Sequence, residues 1–193
     1  MQKITLLLLI FTHLGCQSKN NNLDSYFNKD RQVAIQQLNQ MFKNEICKSN
    51  FDEEVFRTEI EKIKTSIING KGNYTGLDYQ NISEITDHIN SIYDLSIFTK
   101  ECTLEKKNGT SIKYYCISPK SNFRKYLNEN KNMKKSWIHL DDELSAMGVL
   151  SSNSIRYLLS DEIDINSEGE ILVLAITLMQ NVFQREAEKQ SEM

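Results

Sequence analysis

The stretch that decides the fold is "ILVLAITLMQNVF", residues 171–183. From Ile171 to Met179 it is apolar or nearly so on every face of a helix, and a helix of that kind is buried in the centre of a protein. Ser167 with Glu170 forms the pattern of an N-terminal capping box just before it. The tail "QREAEKQSEM" that follows is expected to fray into solvent. The sequence therefore predicts one central helix near the C-terminus.

Apolar side chains at helical spacing predict further helices at 25–47, at 51–70 and after Asn81, where Glu84 would complete a second capping box. Shorter helices are expected within 121–127, 144–150 and 155–159, and the segment "NENKNMKKS", residues 128–136, is expected to be a polar and basic loop. No repeat or interdomain linker is visible. We predict a mainly α fold, a single helical domain over 25–190 with one inserted β-hairpin at about 97–118.

The hairpin prediction depends on Asn108-Gly109, a strong turn signal between strand-like segments. Cys102 and Cys116 flank these segments, and a two-residue turn would place Cys102 opposite Tyr115. One extra loop or bulge residue would bring the two cysteines opposite each other, and we expect them to form a disulfide. Cys47 is expected to be a buried thiol late in its helix.

The chain begins with Lys3 and an apolar run from Ile4 to Phe11, which is too short to span a bilayer and is typical of a signal peptide. Leu14-Gly15-Cys16 follows it and resembles the lipobox of bacterial lipoproteins, although His13 stands where that motif normally has an aliphatic residue. The resemblance implies that 1–15 is removed, that Cys16 is acylated as a membrane anchor, and that 16–24 is a flexible tether. A plain signal peptide cut near Ser18 is the alternative.

The net charge of −3 argues against a nucleic-acid-binding function, which needs a basic surface. The sequence contains no hydrolase, metalloprotease, phosphate-binding or zinc motif, so we assign no catalytic residue and no cofactor. Carboxylate pairs can hydrolyse glycosides without a short motif. A carboxylate-dependent cell-wall hydrolase therefore stays open as an alternative.

Two acidic stretches could supply metal ligands. In "WIHLDDEL", His139, Asp141, Asp142 and Glu143 lie close together, although an acidic helix start explains them more simply. In "DINSEGEI", the weak candidates Asp164, Asn166 and Glu168 match the first ligand positions of a calcium loop, but Ala175 stands where the closing Glu is required. The helix cap at Ser167 accounts for the same residues, so no metal site is predicted.

A basic segment follows the hairpin. It contains Lys120, Arg124, Lys125, Lys131, Lys134 and Lys135, with Phe123 and Tyr126 between them. We expect a partner-binding surface formed by the hairpin tip, Lys106 and Asn108, together with Lys120, Phe123, Arg124, Lys125 and Tyr126. The functional hypothesis is a lipid-anchored, non-catalytic protein-binding module of the cell envelope that faces the periplasm or the exterior. An immunity lipoprotein against an envelope-directed toxin and an accessory subunit of an envelope complex both fit this description.

Overall fold

The computed structural model describes residues 23–69, 77–93, 95–106 and 108–192. In these residues the chain is mainly helical with one antiparallel hairpin, as predicted. The elements in chain order are α1 (Lys29–Cys47), α2 (Glu53–Ile68), α3 (Tyr79–Tyr93), β1 (Phe98–Glu105), β2 (Ser111–Ile117), α4 (Asn122–Asn130), α5 (Lys135–Met147), α6 (Ser152–Ser160) and α7 (Glu168–Glu192). The predicted signal peptide, the lipobox-like motif and Cys16 lie outside the described residues.

α7 is the central helix that the sequence predicts. Every residue from Ile171 to Phe183 is buried, and the helix packs against α1, α3, α6 and β2. The Ser167 hydroxyl caps it by accepting the backbone N–H of Glu170 at 3.3 Å. The predicted fraying after Phe183 is wrong, because the helix continues to Glu192 with Ala187 buried. The hairpin packs against this helix at Phe183, whose ring lies 5.4 Å from that of Phe98 and 5.0 Å from that of Tyr115.

The hairpin is held together by the predicted Cys102–Cys116 disulfide, with the two Cα atoms 5.9 Å apart. Its register differs from the prediction, because Cys102 pairs with Tyr114, Cys116 pairs with Thr99, and the extra residue lies in β1 between the two pairs. The cysteines therefore flank a β-bulge and are not directly opposite. A bulge bends its strand and increases the local twist. A stable disulfide indicates an oxidising, extracytoplasmic location for the protein.

Several helix boundaries differ from those predicted. α3 begins at Tyr79, and its N-cap is Asp78, whose carboxylate accepts the Asn81 backbone N–H at 3.1 Å. The predicted loop 128–136 is instead the end of α4, a single 3-10 turn and the start of α5. Leu23 is buried in another 3-10 turn, Leu23–Ser25, so the packed domain begins before the predicted boundary at residue 25.

One continuous core runs from Leu23 to Phe183 and contains side chains of every helix and of both strands. Cys47 is buried with a free thiol at the end of α1, as predicted. Trp137 of α5 and Tyr126 of α4 pack edge to face within this core, with ring centroids 5.8 Å apart. In the part of the chain that the structure describes, no helix is both long enough and apolar enough to cross a bilayer.

Candidate functional site

The base of the hairpin is fixed to the helical core by two side chains. Gln180, fully buried in α7, accepts the backbone N–H of Ile117 at 2.8 Å with its Oε1 atom. The Tyr115 hydroxyl donates to the Asp87 carboxylate of α3, and the Lys100 ammonium lies 4.3 Å from the Tyr115 ring centroid. Burial and the bond to Asp87 raise the pKa of Tyr115, so its hydroxyl stays protonated and continues to donate. These contacts hold the hairpin in one orientation.

The tip of the hairpin is a compact turn. Gly109 adopts a φ of 80°, and its N–H donates to the Lys106 carbonyl at 3.0 Å. The Asn108 Oδ1 atom accepts both the backbone N–H and the hydroxyl of Thr110, at 3.0 and 2.6 Å. Asn108 and Thr110 are exposed, and Lys106 is half-buried. Of the predicted tip residues, Asn108 is therefore accessible and Lys106 is partly accessible.

Much of the basic segment is engaged in internal contacts. Lys131 forms an ion pair with the buried Asp141 at 2.8 Å, and this partner raises the pKa of Lys131. Lys134 binds Glu170, while the Arg124 guanidinium donates to the Ser145 hydroxyl at 3.0 Å. Burial lowers the pKa of Arg124, with Asp141 acting in the opposite direction. These residues connect α4 and α5 to each other and to α7.

Three lysines of the basic segment remain exposed, namely Lys120, Lys125 and Lys135. Phe123 and Tyr126 do not accompany them, because both rings are buried, with 1% and 0% of their surface exposed. Tyr126 packs at 5.4 Å from Tyr26, the ring over which Lys125 lies at 6.0 Å. The expected surface of alternating aromatic and basic side chains is therefore not present. The exposed lysines form a cationic surface to which Phe123 and Tyr126 do not contribute.

The first acidic stretch lies inside α5 and not at its N-terminus. Asp141 is buried, where one carboxylate oxygen accepts from Lys131 and, at 2.8 Å, from the Asn128 amide. His139 points away to the surface and stacks on Tyr157 of α6 with ring centroids 4.1 Å apart. The interpretation as an acidic helix start is wrong, because α5 begins at Lys135 and has no acidic residue in its first turn. Asp141 acts as a buried link between α4 and α5.

The second acidic stretch forms the start of α7. Asp164 Oδ1 accepts the Asn166 backbone N–H at 2.9 Å, and the Glu168 carbonyl accepts from the Asn39 amide at 3.0 Å. The Asp164 bond closes the turn that precedes the Ser167 cap, and the Asn39 bond joins the first turn of α7 to α1. Across the described ranges, no group of three His, Cys, Asp or Glu side chains converges in a way that could hold a metal ion.

A cleft that the sequence analysis missed lies between α2 and the connection from α6 to α7. Its volume is about 410 Å³. The floor is apolar and consists of Phe56, Ile60, Leu159, Ile163 and Ile165. Charged groups line the rim, where Asp161 accepts the Ser136 backbone N–H at 3.3 Å and Glu61 contacts Lys64 at 3.4 Å. An apolar floor with charges only at the rim suits the binding of an apolar group better than hydrolysis of a polar one.

Comparison of the chain with protein-family models, with curated proteins and with solved structures finds no match.

Proposed function

We propose that this chain is a lipid-anchored, extracytoplasmic protein-binding module without catalytic activity, and specifically an immunity-type inhibitor of an envelope-directed toxin. The observation that carries the proposal is the hairpin, whose base is fixed to α7 and α3 and whose strands are joined by a disulfide. A rigid exposed element binds a protein with a smaller loss of conformational entropy than a mobile loop does. The hairpin end and the exposed lysines of the basic segment form the proposed contact surface.

Anchoring through Cys16 is part of the proposal and rests on the lipobox-like sequence Leu14-Gly15-Cys16. Two or more acyl chains would keep the domain at the membrane, since a single chain binds only marginally. Mass spectrometry of the N-terminal peptide tests this directly. We expect a diacylated or triacylated Cys16, and a free N-terminus elsewhere would contradict the anchor.

The binding function is tested by crosslinking the protein in its native host and identifying the captured proteins by mass spectrometry. We expect one secreted partner in near-equal amount, whereas several envelope proteins captured together would favour an accessory subunit. The triple variant Lys120→Glu, Lys125→Glu, Lys135→Glu, which changes only the exposed lysines of the basic segment, is expected to weaken the captured complex at least tenfold. The control variant is Lys29→Glu, Lys48→Glu, Lys62→Glu, which reverses the charge of the same number of exposed lysines outside the proposed contact surface. Equal affinity of the triple variant and the control would contradict the basic contact surface.

A further inference from the structure

The cleft between α2 and the α6–α7 connection has a one-sided charge distribution. On the α2 side, the cations are already paired, with Arg57 bound to Glu53 at 3.1 Å and Lys64 to Glu61 at 3.4 Å. On the opposite side, the cleft is lined by the two carboxylates Asp161 and Glu162 and by no lysine or arginine. The rim on that side is therefore acidic.

Two lysines from other elements reach the acidic side, but they neutralise only part of it. Lys134 binds the Glu162 carbonyl and the Glu170 carboxylate, and Lys43 donates to the Ile165 carbonyl at 3.0 Å. The Glu162 side chain is exposed at the rim, and its carboxylate has no hydrogen-bond or ion-pair partner among the described residues. A cation that approaches the cleft from solvent therefore meets an unpaired carboxylate.

The floor of the cleft complements this charge with apolar surface. Phe56, Ile60, Leu159 and Ile165 are core residues that form its base, and Ile163 is partly exposed beside them. A volume of about 410 Å³ lies within the range of small-ligand pockets. Binding energy in protein interfaces is concentrated where a large side chain enters such a pocket and excludes water.

We propose that this cleft binds one apolar side chain of a protein partner that carries a lysine or arginine next to it in sequence, with the cation at Glu162. The inference rests on the proposed protein-binding function and names a second contact on the same module. The partner segment is basic and apolar because the acidic rim repels an anionic segment.

The test is a titration of the purified protein, labelled with ¹³C at isoleucine and leucine methyls, followed by nuclear magnetic resonance. The probes are the peptides acetyl-Lys-Phe-Lys-amide, acetyl-Glu-Phe-Glu-amide and acetyl-Lys-Ser-Lys-amide. We expect the first to shift the Ile60, Ile163 and Ile165 methyls saturably and the second to bind about tenfold more weakly, which corresponds to ~1.4 kcal/mol. The third should leave these methyls unchanged. Shifts that are equal for all three probes, or absent for the first, would overturn the proposal.

Two variants separate the charge from the cavity. Glu162→Lys should reverse the preference between the lysine and glutamate peptides, and Ile163→Ser should weaken both phenylalanine peptides. Glu192→Lys at the end of α7 is the matched control, since it makes the same charge change at an exposed site outside both the cleft and the hairpin. Unchanged peptide affinities in Glu162→Lys would refute the role of the acidic rim.

The outcome is distinguishable from a failure of the proposed function. Suppose that a protein partner is captured and that the double variant Glu162→Lys, Ile163→Ser binds it with unchanged affinity. The cleft proposal is then wrong, and the binding function stands. If the lysine–phenylalanine peptide binds in the cleft but no partner is captured from the host, the cleft proposal stands without the immunity function. Saturable binding of a neutral acyl chain in place of the peptides would instead assign the cleft to lipid and overturn the proposal.

Discussion

Replacing Gln180 by methionine tests how the hairpin is attached to the core. Gln180 is fully buried in α7, its Oε1 accepts the Ile117 N–H at 2.8 Å, and its amide reaches the Tyr115 carbonyl only at 3.5 Å. Methionine has a similar volume, so the substitution creates no large cavity. It leaves the Ile117 N–H buried without an acceptor, and such a group costs about 1–3 kcal/mol. We expect the free energy of unfolding to fall by that amount.

The assay is equilibrium unfolding in urea, with hydrogen exchange of the β2 amides as a local readout. Thr177→Val is the matched control, because it also replaces a fully buried polar side chain of α7, but the Thr177 hydroxyl has no hydrogen-bond partner among the residues that the structure describes. Removing an unsatisfied hydroxyl is neutral or stabilising. The reasoning is refuted if Gln180→Met and Thr177→Val change the unfolding free energy equally, or if the Ile117 amide exchanges at the same rate in Gln180→Met as in the unchanged protein.

Two further predictions concern the hairpin. Replacing Cys102 and Cys116 together by alanine removes the cross-link between two residues 14 positions apart. On the chain-entropy model this should lower the free energy of unfolding by about 3 kcal/mol. The measurement is unfolding in urea, and the control is Cys47→Ala, which keeps the disulfide. A double variant no less stable than that control would contradict this expectation. Because the pKa of Tyr115 is raised in the folded state, the stability from its proton is complete below about pH 10 and is lost as the pH rises above it. Tyr115→Phe should therefore be less stable at neutral pH but lose less stability as the pH rises above about 10. Parallel pH profiles of the two proteins in thermal unfolding would contradict the assignment.

Local sequence patterns predicted those parts of the fold in which neighbouring residues decide the outcome. The uninterrupted apolar stretch of α7 predicts a buried helix, and the Ser167 hydroxyl caps it as expected. The Asn-Gly turn and the two cysteines predicted the hairpin and its disulfide, but not the side of the bulge. The position of a bulge depends on how the strand packs against the rest of the protein, and here β2 is fixed by Gln180 from 63 residues away.

The candidate surface was less predictable because charge in a sequence does not show which charges are paired in the fold. Lys131 and Lys134 looked available, yet their partners Asp141 and Glu170 lie 10 and 36 residues further along the chain. Phe123 and Tyr126 could have been assigned correctly, since they are three positions apart and therefore share a helix face. If the predicted helix had been extended to Asn130, where α4 ends, this shared face would have been predicted to pack against the core.

The cleft also could not be predicted from the sequence. Its apolar floor joins Phe56 and Ile60 of α2 to residues about 100 positions later, and each of these side chains taken alone is an ordinary core residue. Only the packing of α2 against α6 leaves a gap between them that an outside group can enter. The acidic residues nearby invited a metal-site interpretation because Asp164 and Glu168 lie close together in sequence. The Asp164 carboxylate closes the turn before α7, and Glu162, which belongs to no motif, is exposed at the cleft rim without a hydrogen-bond or ion-pair partner among the described residues. A binding surface of this kind is therefore recognised from unsatisfied groups in the folded chain and not from sequence spacing.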